Sequence, residues 1–196
     1  ERLNKHDVQA YFDRCAPMWD ARLRRPQAAI DAILNAAGLR AGARVLDVAC
    51  GTGVLFEDYL ARGAGRVTGV DLSPQMALLA RRKYPQSHIE VVCADIEEAD
   101  LPKAYDCCVV YNALPHFADP ARLVASLSRY VVAGGRLCIA HSMSRAALVG
   151  HHAGRAEDVS CDIPEAEELG TVFMPYFRCD TAVSDDAMYI VAGVRL

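Results

Sequence analysis

The sequence predicts an α/β fold: seven strands in a mostly parallel sheet, helices on both faces, and a C-terminal antiparallel hairpin. Three observations carry this expectation. Between residues 39 and 142, short apolar runs alternate with helix-spaced segments, the pattern of parallel strands joined by helical crossovers. The first of those runs breaks into a small glycine-bearing loop, Arg44-Val45-Leu46-Asp47-Val48-Ala49-Cys50-Gly51-Thr52-Gly53. Near the end, Tyr176 to Val183 and Ala187 to Arg195 form two strand-like runs joined through Ser184-Asp185-Asp186, which reads as a hairpin.

In chain order, residues 5–38 read as an N-terminal helical lid, residues 39–142 as a ligand-binding core, and residues 143–196 as a less regular tail ending in the hairpin, all within one domain. The helix Pro26 to Gly38 puts Ile30, Ile33 and Leu34 on one face and stops at a glycine, a common helix terminator. Val45 to Ala49 is apolar enough for a strand buried on both faces. Gly51 and Gly53 then allow positive φ and a backbone approach that a Cβ would block. Val54 to Arg62 has helical spacing, so its first free N–H groups face the loop. The second strand, Arg66 to Asp71, ends in a carboxylate 18 residues after Gly53. Ser73 and Pro74 suit the N-cap and first position of a helix running to Tyr84. Two further strands follow, Ile89 to Ile96 and Tyr105 to Tyr111, the latter ending at Asn112. A helix from Pro120 to Val132, the turn Ala133-Gly134-Gly135 and a strand from Arg136 to Ala140 complete the core. In an open sheet of this kind a ligand sits at the carboxyl ends of the first three strands.

Composition narrows the function classes. At 196 residues with 53% hydrophobic residues the chain can fill a single core. A formal charge of −4, with Arg22-Leu23-Arg24-Arg25 as its main cationic cluster, does not supply the cationic face that nucleic acid needs. That cluster reads as a solvated helix start. No apolar run reaches the ~18 residues of a membrane span, and the expectation is a cytoplasmic protein. Eight cysteines contain no C-x-x-C pair. Cys50, Cys93, Cys107, Cys108 and Cys138 fall in or beside buried strands, as reduced thiols do. The sequence leaves the oligomeric state open.

Two nucleotide-type cofactors use a strand–glycine loop–helix corner. The dinucleotide fingerprint needs a third glycine for close helix–strand packing, and Phe56 stands in that place, which disfavours NAD. Asp71 lies where a carboxylate can meet two ribose hydroxyls. A glycine-poor corner with Asp47 inside the first strand, followed by this second acid, resembles the opening motifs of class I S-adenosylmethionine-dependent methyltransferases, with their Rossmann-like sheet. The resemblance extends along most of the chain. Tyr11-Phe12-Asp13-Arg14-Cys15-Ala16-Pro17-Met18-Trp19-Asp20 is similar to the N-terminal segment that folds over the cofactor in small-molecule members such as the ubiquinone and menaquinone methyltransferase relatives. It implies S-adenosyl-L-methionine as cofactor and a small-molecule acceptor. It also implies a cofactor shell of Tyr11, Asp47, Ala49, Gly51, Gly53, Asp71, Leu72, Met76, Asp95, Ile96 and Asn112, in which Asp95 and Ile96 face the adenine amine and ring. The Asp/Asn-Pro-Pro-aromatic sequence of amino-directed nucleic-acid and protein methyltransferases is interrupted here by Ala113 and Leu114.

On the acceptor side, histidines are the natural proton acceptors because their charge changes near neutrality. His116, in Asn112-Ala113-Leu114-Pro115-His116-Phe117, follows the fourth strand closely; His141 ends the fifth, in His141-Ser142-Met143-Ser144-Arg145. Both are candidate catalytic bases, and helix-start and core roles are their plain alternatives. Trp19, Phe117 and Arg145 are candidate acceptor contacts, the arginine as a bidentate clamp for a carboxylate or phosphate. His141, His152 and Asp162 have metal-ligating chemistry but irregular spacing. Two other functions stay open: a non-catalytic S-adenosylmethionine-binding or metal-sensing module, and a nucleotide-dependent oxidoreductase. Against the last, none of the three lysines, Lys5, Lys83 and Lys103, follows a tyrosine by four.

Overall fold

A computed structural model describes residues 3–152 and 157–196, the side chains of 149–152 and 157 excepted. Its centre is a seven-stranded sheet of order β3-β2-β1-β4-β5-β7-β6. The strands are β1 (Arg44–Val48), β2 (Arg66–Asp71), β3 (Ile89–Cys93), β4 (Tyr105–Tyr111), β5 (Val131–His141), β6 (Phe177–Ser184) and β7 (Tyr189–Arg195). β1 to β5 pair in parallel, and β7 lies antiparallel between β5 and β6. Strand order reverses between β1 and β4, which opens the ligand crevice at their carboxyl ends.

Alternation along the strands divides the core in two. Val45, Val67, Cys107, Val109 and Cys138 face α3 (Gln27–Ala36), α4 (Phe56–Ala61) and α5 (Pro74–Lys83). Leu46, Val48, Val110, Leu137 and Ile139 face α6 (Pro120–Ser128) and α8 (Ala166–Phe173). Because successive side chains point to opposite faces, continuously apolar strands bury both. α1 (Lys5–Cys15), a short 3-10 turn over Ala16–Met18 and α2 (Trp19–Arg22) form the lid, and α7 (Arg145–His152) follows β5.

Several boundaries differ from the sequence reading for local reasons. β1 ends at Val48 because Ala49 turns to φ +55°. α4 begins only at Phe56, since Gly51 (φ +56°) and Gly53 (φ +79°) first carry the chain through turns. β3 stops at Cys93, leaving Asp95 and Ile96 on the loop beyond it. α6 ends at Ser128, and β5 starts at Val131 with a register shift against β4 between Tyr105 and Cys107. The tail is more regular than expected: α8 carries a capping box between Glu165 and Glu168 and buries Ala166, Leu169, Gly170 and Phe173. Ser73 caps α5 as expected, accepting the Met76 N–H at 3.1 Å. Of the cysteines, Cys50, Cys107, Cys108 and Cys138 are buried thiols, whereas Cys93 is exposed, an edge-strand position opening to solvent.

Candidate functional site

The carboxyl ends of β1 to β4 and the lid enclose a cavity of about 620 Å³, within the usual range for small-molecule sites, about 300–1,000 Å³. Its floor is the loop after β1. Ala49, Gly51 and Gly53 all take positive φ, and they let the chain fold back so that the Gly51 N–H donates to Asp71 Oδ2 at 2.7 Å. The other Asp71 oxygen accepts the Ser73 N–H at 2.8 Å. Burial pushes Asp71 up to about 6, against the pull of these two N–H groups. Asp47, beneath it and 3% exposed, is raised well above the usual carboxylate range by burial and then by the Asp71 charge.

Phe56, standing where a dinucleotide site has its third glycine, is accommodated by a glycine elsewhere. A Cβ on Gly69 of β2 would stand 2.6 Å from Phe56 Cζ and 2.8 Å from Cys50 Sγ, closer than packed atoms allow. The close helix–strand approach is therefore kept by moving the missing side chain from helix to strand.

The lid is fastened to each of the three loops. Asp20 accepts the Thr52 hydroxyl at 2.5 Å and pairs with Lys83 at 2.8 Å. Asp13 accepts the Ser73 hydroxyl at 2.5 Å and the Gln75 N–H at 3.1 Å. Lys5 reaches Asp95 and the buried Glu97 side chain, each at 2.5 Å.

Across the crevice, Asn112 sits at φ +53° after β4. Its Oδ1 accepts the Ser142 N–H at 2.9 Å and its Nδ2 donates to Ser142 Oγ at 3.1 Å. With the side chain turned to β5, the Asn112 backbone is left at the cavity wall. His116 ends a 3-10 turn over Leu114–His116 and meets Phe12 edge-on, ring centres 4.8 Å apart at 83°.

The structure brings twelve of the anticipated residues to the cavity: Trp19, Asp47, Ala49, Gly51, Asp71, Leu72, Met76, Asp95, Ile96, Asn112, His116 and Phe117. Tyr11 lies behind Phe12, the two rings 5.2 Å apart, and Phe12 lines the wall in its place. The resemblance placed Tyr11 in the shell, and a one-residue shift on a helix, which turns a side chain by about 100°, gives the wall to Phe12 instead. Gly53 shapes the loop from behind, against Phe56 and Tyr84. His141 is fully buried between strands, edge-on to Tyr189 at 6.0 Å, and does not line the cavity. Arg145 is committed to Glu165 at 2.8 Å and the Ile163 carbonyl at 3.0 Å. Asp162 is exposed, the His152 side chain lies outside the described residues, and no metal-ligand cluster occurs among the described residues. Lys5, Val8, Arg24 and Arg122 also line the cavity and were not anticipated. Only Val8, the buried residue of α1, carried a signal, its apolar place on an amphipathic helix.

The site fits an adenosine-bearing sulfonium. Asp71, poised at the end of β2, has lone pairs left for hydroxyl donors. Leu72, Met76 and Ile96 offer apolar walls beside it. The buried Trp19 Nε1, whose N–H has no acceptor among the described residues, lies 3.6 Å from where a Gly51 Cβ would stand; buried donors of this kind normally have a partner.

Residues 46–139 match the model of the methyltransferase domain family. The chain is 32% identical over 138 residues to a malonyl-[acyl-carrier protein] O-methyltransferase of Acetivibrio thermocellus, covering 69% of this chain and 49% of that protein. It is 34% identical over 152 residues to a ubiquinone biosynthesis O-methyltransferase of Xylella fastidiosa, covering 71% and 61%. The chain thus spans about half to three fifths of the length of these relatives. Among solved structures, the geranyl diphosphate C-methyltransferase of Streptomyces coelicolor, in complex with S-adenosyl-L-homocysteine, superimposes with a TM-score of 0.77 at 14% identity, over 98% of this chain and 97% of that one. At that identity the likeness concerns the fold. No described helix is long and apolar enough to cross a membrane.

Proposed function

We propose that this chain is a class I S-adenosylmethionine-dependent methyltransferase that methylates the hydroxyl of a small acceptor with an apolar or aromatic body. The observation that carries the reading is His116, a proton acceptor at the wall of the cavity between Phe12 and Phe117. The names of the relatives, both O-methyltransferases, favour an oxygen acceptor.

In this reading Asp71 holds the ribose hydroxyls, Leu72 and Ile96 flank the adenine, and the Ala49–Gly51 loop with the Asn112 backbone holds the methionine end. The bound cofactor supplies a sulfonium methyl that is already electrophilic. The chain's task is then to align the acceptor and exclude water. The lid ties at Thr52, Ser73 and Asp95 serve exclusion. The apolar walls at Val8, Phe12 and Phe117 receive the acceptor's body. His116 takes the hydroxyl proton. Positioned general bases contribute about 10²–10⁴-fold.

The test joins calorimetry with S-adenosylmethionine, S-adenosylhomocysteine and NADH to a turnover screen over phenols, carboxylic acids, amines and thiols. Binding of the first two ligands and methyl transfer to a hydroxyl is the expected result. Cofactor binding with no turnover on any acceptor class would favour a non-catalytic module, and NADH binding would overturn the cofactor assignment.

A further inference from the structure

His116 is held by a part of the chain that does not line the cavity. Its Nδ1 lies 2.7 Å from the Val159 carbonyl oxygen, 43 residues further on, with Ser160 Oγ at 3.4 Å from the same nitrogen. The segment is itself anchored to the turn that bears the histidine: the Cys161 N–H donates to the Pro115 carbonyl at 2.7 Å. Val159 is buried, 5% exposed. Phe12 closes another side of the ring.

A carbonyl oxygen has lone pairs and no proton. At 2.7 Å a bare Nδ1 lone pair would face another lone pair, so Nδ1 must carry the hydrogen and donate it. A neutral imidazole has one N–H; with that N–H committed, the remaining lone pair is on Nε2. We infer that the tail segment Val159–Cys161 is a positioning element that fixes the Nδ1–H tautomer of His116, making Nε2 the base for an acceptor that must lose a proton. The inference rests on the reading of His116 as the base and adds the residues that orient it. A hydroxyl acceptor satisfies it; a thioether or tertiary amine, which has no proton to give, does not.

The step balances. His116 Nε2 takes the hydroxyl proton as the acceptor oxygen bonds to the methyl carbon, and the carbon–sulfur bond breaks with its electron pair staying on sulfur. The products are a methyl ether, S-adenosylhomocysteine and an imidazolium that releases its proton to solvent. A carbonyl partner fixes the ring without adding a net negative charge beside it, unlike the carboxylate of a serine-protease triad.

The test is ¹⁵N NMR of histidine-labelled protein in complex with S-adenosylhomocysteine, above the pH at which the imidazoles are charged, with His116→Asn identifying the His116 signals. The proton should reside on Nδ1. In parallel, Cys161→Pro removes the N–H that pins the segment to Pro115; turnover should fall by up to about 10²-fold, the cost of a small misplacement, while S-adenosylhomocysteine affinity stays within about twofold. A proton on Nε2 in the unaltered protein would overturn the inference even if the proline variant fails to fold, and so would unchanged turnover in a folded Cys161→Pro. Full turnover in His116→Asn would instead remove His116 as the base, a separate failure.

Discussion

The two halves of the cavity are built over different distances along the chain. The half proposed to hold the cofactor is made by residues just beyond the ends of three neighbouring strands: Ala49 to Gly51 after β1, Asp71 to Ser73 at the end of β2, Asp95 and Ile96 after β3. The proposed acceptor half is assembled from pieces far apart: Phe12 from the lid and His116 after β4, the histidine held in turn by Val159 and Cys161 of the tail, which do not line the cavity. Parallel pairing of β1, β2 and β3 brings their ends together wherever the loops lead. Nothing comparably regular brings Val159 to His116, so that contact depends on the packing of the tail. The comparison teaches that a cofactor subsite is a property of sheet topology, whereas an acceptor subsite is a property of what is laid over it.

The sharpest way to break this division is His116→Asn. Turnover should drop by about 10²–10⁴-fold, while calorimetry finds cofactor affinity unchanged; loss of both together would mean that the halves are not separable. Asp71→Asn tests the other half. S-adenosylhomocysteine affinity should weaken by about 1–3 kcal/mol. The pH dependence gives a second readout. Ligand hydroxyls donate to the ionised carboxylate, so affinity should fall as pH drops below about 6 in the unaltered protein and stay flat in the variant. The sign for stability is opposite. A carboxyl raised above its ordinary value in the fold binds extra protons there, so the ligand-free protein loses stability as pH rises from the ordinary carboxylate value to about 6. Asp71→Asn should therefore raise ligand-free stability at neutral pH by about 1 kcal/mol, measured as the denaturant midpoint, even as it weakens binding. A fall in stability would show that the bonds to Gly51 and Ser73 outweigh the burial.

Gly69→Val should cost about 1–3 kcal/mol by overpacking Phe56 and Cys50, and Phe56→Leu in the same chain should recover part of it; additive losses would deny the glycine–phenylalanine exchange. Lys5→Gln loosens the lid at Asp95 and Glu97, and because the lysine is partly exposed the effect is small. Release of S-adenosylhomocysteine in stopped flow should quicken about two- to fivefold. The smallest effect belongs to Arg145→Ala. It removes an exposed pair with Glu165, should cost under about 1 kcal/mol, and should leave acceptor KM unchanged; a raised KM would return Arg145 to the acceptor side.

These particulars show what was legible. The glycine loop, the acid ending β2 and the capped α5 were readable because each depends on contacts within a few residues: a positive φ, a strand end, a hydroxyl three residues before an N–H. α8 carries its buried residues at 166, 169, 170 and 173, a helical spacing, behind a glutamate cap rather than the commoner serine or threonine. His141 and His116 were equivalent on paper, both at strand ends on the right side of the sheet.

The sequence by itself determined the alternation of strands and helices, the cofactor corner and the lid, because hydrophobic periodicity and backbone conformation are local. Only the tertiary structure decided which of the two histidines lines the cavity. The antiparallel β7, hydrogen-bonded to β5, sets Tyr189 opposite His141 and buries it, while the returning tail brings the Val159 carbonyl to His116. Both outcomes turn on lateral packing between segments tens of residues apart, which local propensities do not encode.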